Sequence, residues 1–223
     1  MPKSVHVSGS SDGLREALEE RLERAGAELV FEPERAEVTI QIDGQENCDI
    51  SIVPVGSISP DSGIVIELSD VIIPNGGRKW GNGVITDWVE KIMSGKAPSS
   101  ESKIRFWVNV RDVVDAITTI CLNENENIPS GNYRMCGRRA WEMEDVTDEI
   151  RVLWERYNNS INHSHTIESL SEVPSPVRGL HSRIEERPDF SKLHEALIGT
   201  GGDGWHPLVP MRISLMEMIA SAK

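Results

Sequence analysis

A strand, a glycine loop, a helix and a second strand open the chain, and this order limits the fold more than any other feature. Residues 5–7 (Val-His-Val) form a short strand pattern ending in the turn-rich loop Ser8-Gly9-Ser10-Ser11-Asp12-Gly13. Leu14, Ala17, Leu18, Leu22 and Ala25 then recur at helical spacing, while Arg15, Glu16, Glu19, Glu20, Glu23 and Arg24 fall on the other face. Asp12 or Ser11 suits the N-cap, and Gly26 suits the stop. Residues 27–31 and 38–42 are strand patterns, the latter by alternation and β-branching. Such an opening belongs to an α/β fold.

The next stretch is unusual. Residues 50–55 and 64–73 read as buried strands, yet only residues 43–49 and 56–63 separate them from the strands before. A parallel crossover ordinarily needs about a dozen residues or more, with a helix. The spacing therefore predicts tight loops, at least one antiparallel pairing and a mixed sheet. Further on, a glycine-rich loop (Asn75-Gly76-Gly77, Gly81-Asn82-Gly83) precedes a helix over 85–93. A strand follows over 106–110, then a helix capped by Asp112, a strand over 132–136 and a helix over 144–156. Residues 157–187 are weakly patterned, and helical patterns return over 190–197 and 211–220. The expected organisation is a shortened Rossmann-like core over 1–110, then a core helix and a small C-terminal α/β lobe over 111–223.

Composition excludes several functions. Asp+Glu 36 against Lys+Arg 23 leaves a net charge of -13, a poor match to nucleic acid or to an anionic membrane surface. No apolar run approaches the ~20 residues of a membrane span, and the N-terminus shows no signal-peptide pattern. Cys48, Cys121 and Cys136 form no CxxC or Cys/His cluster and read as buried thiols of a cytoplasmic protein. His163-Ser164-His165 lacks a third ligand, and His181, His194 and His206 are scattered, so no metal is expected. The six tryptophans read mainly as core, with some available to line a pocket.

The order of motifs resembles the extended short-chain dehydrogenase/reductase family, the NAD-dependent nucleotide-sugar epimerases and dehydratases. Residues 36–42 (Ala-Glu-Val-Thr-Ile-Gln-Ile) resemble the family's "ADVVIHLA" strand, and residues 66–74 its "LRPSNVYGP". Residues 105–117 (Arg-Phe-Trp-Val-Asn-Val-Arg-Asp-Val-Val-Asp-Ala-Ile) are similar to "RDFVHVDDVVRAI", and residues 131–137 to "GEVYNVGG". Residues 187–193 with Gly204-Trp205-His206-Pro207 resemble the C-terminal "ADTSKA…LGWxP". The resemblance implies NAD(P) as cofactor, held by Gly9, Ser10, Ser11 and Asp12 in the glycine loop, with Glu32 on a ribose hydroxyl about 20 residues further on. It implies a nucleotide-sugar substrate held by Arg105 and Arg183, whose planar forks pair with a diphosphate, with Arg178 and Arg187 as the nearest alternatives to Arg183 and with Asp70 at the position of a substrate-binding Asn.

The departures bear on chemistry. The family loop reads GxxGxxG, but here those positions are Gly9, Asp12 and Arg15. A carboxylate at Asp12 repels a pyrophosphate. The family's acid/base Tyr has a Lys four residues later that lowers its pKa; the residues four past Tyr133 and Tyr157 are Gly137 and Ile161. The helices that carry this pair, and that form the family's dimer bundle, have no counterpart between the third and fifth strands. Ser57 and Tyr133 are the remaining candidates at the catalytic position. Three functions follow as expectations. One is a degenerate epimerase/dehydratase-like protein that keeps a nucleotide or nucleotide-sugar cleft. Another is an active enzyme with a relocated acid/base among Ser57, Asp70, Tyr133 and Tyr157. The third is a partner or scaffold subunit, or a homo-oligomer assembled otherwise than by that bundle. An exposed apolar sheet face would favour the third, and a Trp-lined, Arg-bearing cleft the first two.

Overall fold

The computed structural model describes residues 2–44, 46–58, 63–123, 128–164, 166 and 187–222. β1 (Ser4–Gly9) leads into α1 (Gly13–Arg24) and then β2 (Glu28–Leu29). Asp12 is the N-cap of α1, and Leu14, Leu18 and Leu22 are its buried stripe. Each such side chain withdrawn from water contributes about 1.5–3 kcal/mol. β3 (Val38–Ile42), β4 (Ile50–Pro54) and β5 (Ile64–Leu68) follow. The pattern read as one strand over 64–73 is broken at Asp70, whose φ of 55° is left-handed, and resumes as β6 (Val71–Ile72). Then come α2 (Asn82–Met93), β7 (Val108–Asn109), α3 (Val110–Leu122) and β8 (Gly131–Met135). α4 (Met143–Ile161), α5 (Ser191–Gly199) and α6 (Met211–Ser221) complete the described elements. α3 is capped by Asn109, which accepts from the Arg111 N–H, and not by Asp112 as the sequence suggested.

The main sheet has the order β2-β1-β3-β4-β5-β8 and every pairing in it is parallel. The expected mixed sheet is therefore corrected. The reason lies in the register. Ile50 pairs with Ile40, so the chain leaving Ile42 returns only two residues along β3 before β4 begins. That is about 7 Å, well within the reach of a short extended connection. Ile64 pairs with Ile50, so the return from Pro54 is also short enough to need no helix.

The strands alternate strongly for a parallel sheet, which usually carries helices on both faces and reads as apolar throughout. Val5, Val7, Ile40, Ile42, Ile50, Ile52, Ile66 and Leu68 point to one core with Leu14 and Leu18 of α1, Val113 and Ile117 of α3 and Leu193 of α5. The intervening positions are Ser4, His6, Ser8, Thr39, Gln41, Ser51, Val53, Val65, Glu67, Asn132 and Arg134. That face is tied by polar contacts: Thr39 Oγ1 donates to Asp49 (2.7 Å), and the Gln41 carboxamide meets Glu46 twice (2.7 and 2.9 Å). The second face of the described strands thus carries mostly polar side chains, with Val53 and Val65 buried among them.

A second core lies beyond the C-terminal end of β5. There β6 pairs in parallel with β7, and Ile85, Trp88, Val146, Ile150 and Leu215 join α2, α4 and α6. It draws on residues from both halves of the sequence. Cys121 and Cys136 are buried, as expected, whereas Cys48 is only partly so.

Candidate functional site

The C-terminal ends of the parallel strands form the natural place for a site in an open α/β sheet. At the first of them, Gly9 has φ 95°, and a Cβ there would lie 2.1 Å from the Ile42 carbonyl oxygen, so this position needs glycine. Ser10 donates its N–H to the same oxygen (2.8 Å), and Ser11 is exposed. Asp12 Oδ1 accepts from the N–H groups of Leu14 (3.1 Å) and Arg15 (3.3 Å), while Oδ2 accepts from Trp80 Nε1 (3.1 Å). A dinucleotide pyrophosphate binds at the free N–H groups of such a helix start. Here a carboxylate has taken donors that it would use. Arg15 is turned away, with Nη2 on the Val7 carbonyl (3.0 Å) and Nε on Glu19 (2.7 Å). Glu32 is exposed and pairs with Arg35 (3.1 Å). The residues of this loop do not fit a bound pyrophosphate.

Asp70 and Arg105 meet between the two cores. Arg105 Nη1 donates to Asp70 Oδ1 (3.0 Å), Nη2 donates to Glu101 (2.8 Å), and the Phe106 N–H donates to Asp70 Oδ2 (2.9 Å). The side chains of Asp70 and Arg105 are 7% and 15% exposed, so the guanidinium is already held by two carboxylates. The Arg105 bond holds the Glu101 carboxyl below its ordinary pKa, against the opposing effect of burial. Arg105 also exchanges both backbone hydrogen bonds with Trp141 (2.9 and 3.0 Å). Arg183 and the alternative Arg178 lie outside the described residues, as do His165 and His181.

Ser57 and Tyr133 are not brought together. Ser57 is exposed just past the C-terminal end of β4. Tyr133 is 3% exposed, and its hydroxyl donates to the carbonyl of Pro129, which precedes β8. In a parallel sheet these are opposite ends. Burial raises the Tyr133 pKa, the reverse of what a proton-transfer Tyr needs. Tyr157 stacks on Trp154 with centroids 5.8 Å apart.

Next to the Arg105–Trp141 bridge lies a cleft of about 350 Å³ lined by Trp107, Trp141, Arg138, Arg139, Arg212 and Glu149, among others. Arg139 lies over the Trp141 ring, with its Cζ 4.3 Å from the centroid. Arg212 pairs with Glu149, and Arg138 meets Nδ1 of His206. Trp107 carries a buried Nε1 with no hydrogen-bond partner among the described residues. A Cβ on Gly137 would lie 2.0 Å from the Trp107 carbonyl oxygen, and this close approach sets the two sides of the cleft together. The wall formed by Pro207, Val209 and Pro210 is fixed by Asp112, whose carboxylate accepts from the N–H groups of Leu208 (2.8 Å) and Val209 (3.1 Å). Burial raises the Asp112 pKa, and the two backbone bonds oppose that rise. Sequence reasoning singled out Trp107 and Trp141 only as two of six tryptophans and missed Arg138, Arg139 and Arg212. The one local signal was Gly137-Arg138-Arg139 directly after a strand. Trp80, Trp88 and Trp205 are core residues, 4%, 1% and 3% exposed. Among the described residues no helix is long and apolar enough to cross a membrane, and no cluster of His, Cys, Asp or Glu could hold a metal ion.

No family model and no curated protein sequence matches the chain. Solved structures do. RMD from Pseudomonas aeruginosa, complexed with NADPH, superposes with a TM-score of 0.60 at 13% identity, over 100% of this chain and 98% of that one. The Bordetella bronchiseptica enzyme WbmF, in complex with NAD+ and UDP, gives 0.60 at 11% identity over 98% and 91%. The Thermus thermophilus UDP-glucose 4-epimerase, complexed with NAD, gives 0.53 at 12% identity over 98% of each chain. The chain therefore shares the Rossmann-like α/β fold of these structures, with a parallel sheet.

Proposed function

We propose that the chain is a nucleotide-binding or nucleotide-sugar-binding protein on an epimerase/dehydratase fold, without the family's Tyr/Lys redox chemistry. The observation that carries this reading is the cleft that combines Trp107 and Trp141 with Arg138, Arg139 and Arg212. Aromatic faces suit a base, and guanidinium forks suit phosphate oxygens. Arg105 acts beside the cleft: held by Asp70 and Glu101, it fixes the segment that runs through Trp107 into β7 and the backbone bridge to Trp141. The absence of a Lys four residues after either Tyr supports a binding role over proton transfer.

The test is calorimetric titration with NAD+, NADP+ and a panel of UDP-, GDP- and dTDP-sugars. Saturable binding of a nucleotide or nucleotide-sugar is expected, weakened about tenfold by Arg139→Ala and by Trp141→Ala. Turnover of a nicotinamide absorbance with a nucleotide-sugar present would overturn the reading in favour of an enzyme. Silence across the panel would overturn it in favour of a partner subunit.

A further inference from the structure

We infer that residues 73–80 are the chain's own occupant of the dinucleotide cleft, with Trp80 and Lys79 fastened where a pyrophosphate would otherwise lie. This goes beyond the proposed binding function and does not depend on it. Two hydrogen bonds, an ion pair and a close packing contact make the attachment. Trp80 Nε1 donates to Asp12 Oδ2 (3.1 Å) at the start of α1. Lys79 Nζ donates to Ser10 Oγ (2.9 Å) in the glycine loop and pairs with Asp43 just past the end of β3. Finally, a Cβ on Gly13 would lie 2.8 Å from Ile73 Cγ2 and 3.1 Å from Gly76 Cα, so the first turn of α1 packs directly on this segment.

The segment is itself firmly built. Asn82 is fully buried; its Oδ1 accepts from the Ile73 N–H (2.9 Å), and its Nδ2 donates to the carbonyls of Ile73 and Gly77 (3.0 Å each). The Val71 N–H donates to the Trp80 carbonyl (2.9 Å). Trp80 adopts φ 60° while only 4% exposed, a left-handed conformation that a bulky side chain keeps only where its surroundings over-determine it. Here the backbone bond, the buried ring and the bond to Asp12 together do so. The charges agree. Asp12 and Asp43 supply two carboxylates facing the loop, and Lys79 offsets them; a pyrophosphate would add further negative charge at the same place.

The experiment is amide hydrogen exchange on the whole chain, read in residues 9–15 and 73–82 together, with and without millimolar NAD+, NADH, NADP+, NADPH or ADP. Trp80→Phe keeps an aromatic ring and loses the donor, and Lys79→Ala removes the cation at an exposed position. Each should speed exchange several-fold in both segments, because each segment holds the other. Dinucleotides should leave residues 9–15 unchanged in the wild type. Saturable protection of residues 9–15 by a dinucleotide would overturn the inference, as would variants that quicken only residues 73–82. Dinucleotide binding that ADP reproduces, that Arg139→Ala removes and that protects residues 137–141 alone would belong to the proposed cleft and would support the inference. Failure of the nucleotide-sugar panel would leave these readouts untouched, so the two readings fail separately.

Discussion

Asp70 receives the guanidinium of Arg105 at 3.0 Å across 35 residues of sequence, and the pair sits between the two hydrophobic cores. Asp70 lies between β5 and β6, while Arg105 precedes β7. The pair, with the Phe106 N–H on the other Asp70 oxygen, therefore fixes the angle between the main sheet and the β6–β7 ladder. In a nearly dry setting, an ion pair costs more when half-broken than when replaced whole.

Arg105→Ala should accordingly destabilise the fold by about 3–5 kcal/mol, because it leaves Asp70 buried and unpaired. The double variant Asp70→Asn with Arg105→Met should recover part of that loss. Urea unfolding of the wild type and the variants checks this, and additive losses would show that the pair is not coupled.

Glu101 links this pair to pH. The Arg105 bond lowers its pKa in the fold below the ordinary 4.5. A carboxyl so depressed contributes stability that is present above its unfolded pKa and lost as pH falls through the folded value. Stability should therefore decline on acidification below about pH 4.5, and Glu101→Gln should flatten that part of the profile. Thermal unfolding at a series of pH values gives the slope.

The thiols should react unequally. Burial pushes the Cys121 pKa up to about 12 and the Cys136 pKa to about 11. Neither should form thiolate at neutral or mildly alkaline pH, whereas Cys48 is partly exposed. A chromogenic disulfide reagent should label Cys48 in the native protein and all three cysteines in denaturant. Rapid native labelling of Cys121 or Cys136 would contradict this burial.

Gly137→Ala should cost about 1–3 kcal/mol, since its methyl would be forced against the Trp107 carbonyl and backbone must move. The same shift should widen the cleft and weaken any ligand that spans Trp107 and Trp141. Asp112→Ala acts on the wall formed by Pro207, Val209 and Pro210. Loss of the acceptor should speed amide exchange at Leu208 and Val209 and destabilise by about 1–3 kcal/mol.

The first half of the fold was legible because its signals are local. The α1 stripe, the Asp12 cap and the alternation of β3 each lie within one element and needed no distant partner. The mixed-sheet expectation failed because connection length was read without register. A stagger that pairs Ile40 with Ile50 shortens the return path, and no local pattern encodes it. The candidate cleft was legible only in part. Arg105 stood out through its motif, but that Asp70 and Glu101 each pair with it is a fact of tertiary structure.

By itself the sequence determined an α/β chain that opens on a strand, glycine loop and helix, carries a carboxylate at the helix start and has no Lys four residues after either Tyr. Those properties reside in residue identity and short-range periodicity. Tertiary structure alone decided that the sheet is parallel, that Asp12 is satisfied by α1 amides and Trp80, and that Arg138, Arg139 and Arg212 converge on two tryptophans. The reason is physical: hydrogen bonds and charge pairs act over a few ångströms, and the residues brought together here are separated by up to 105 positions in the chain (Trp107 to Arg212) until the two cores close.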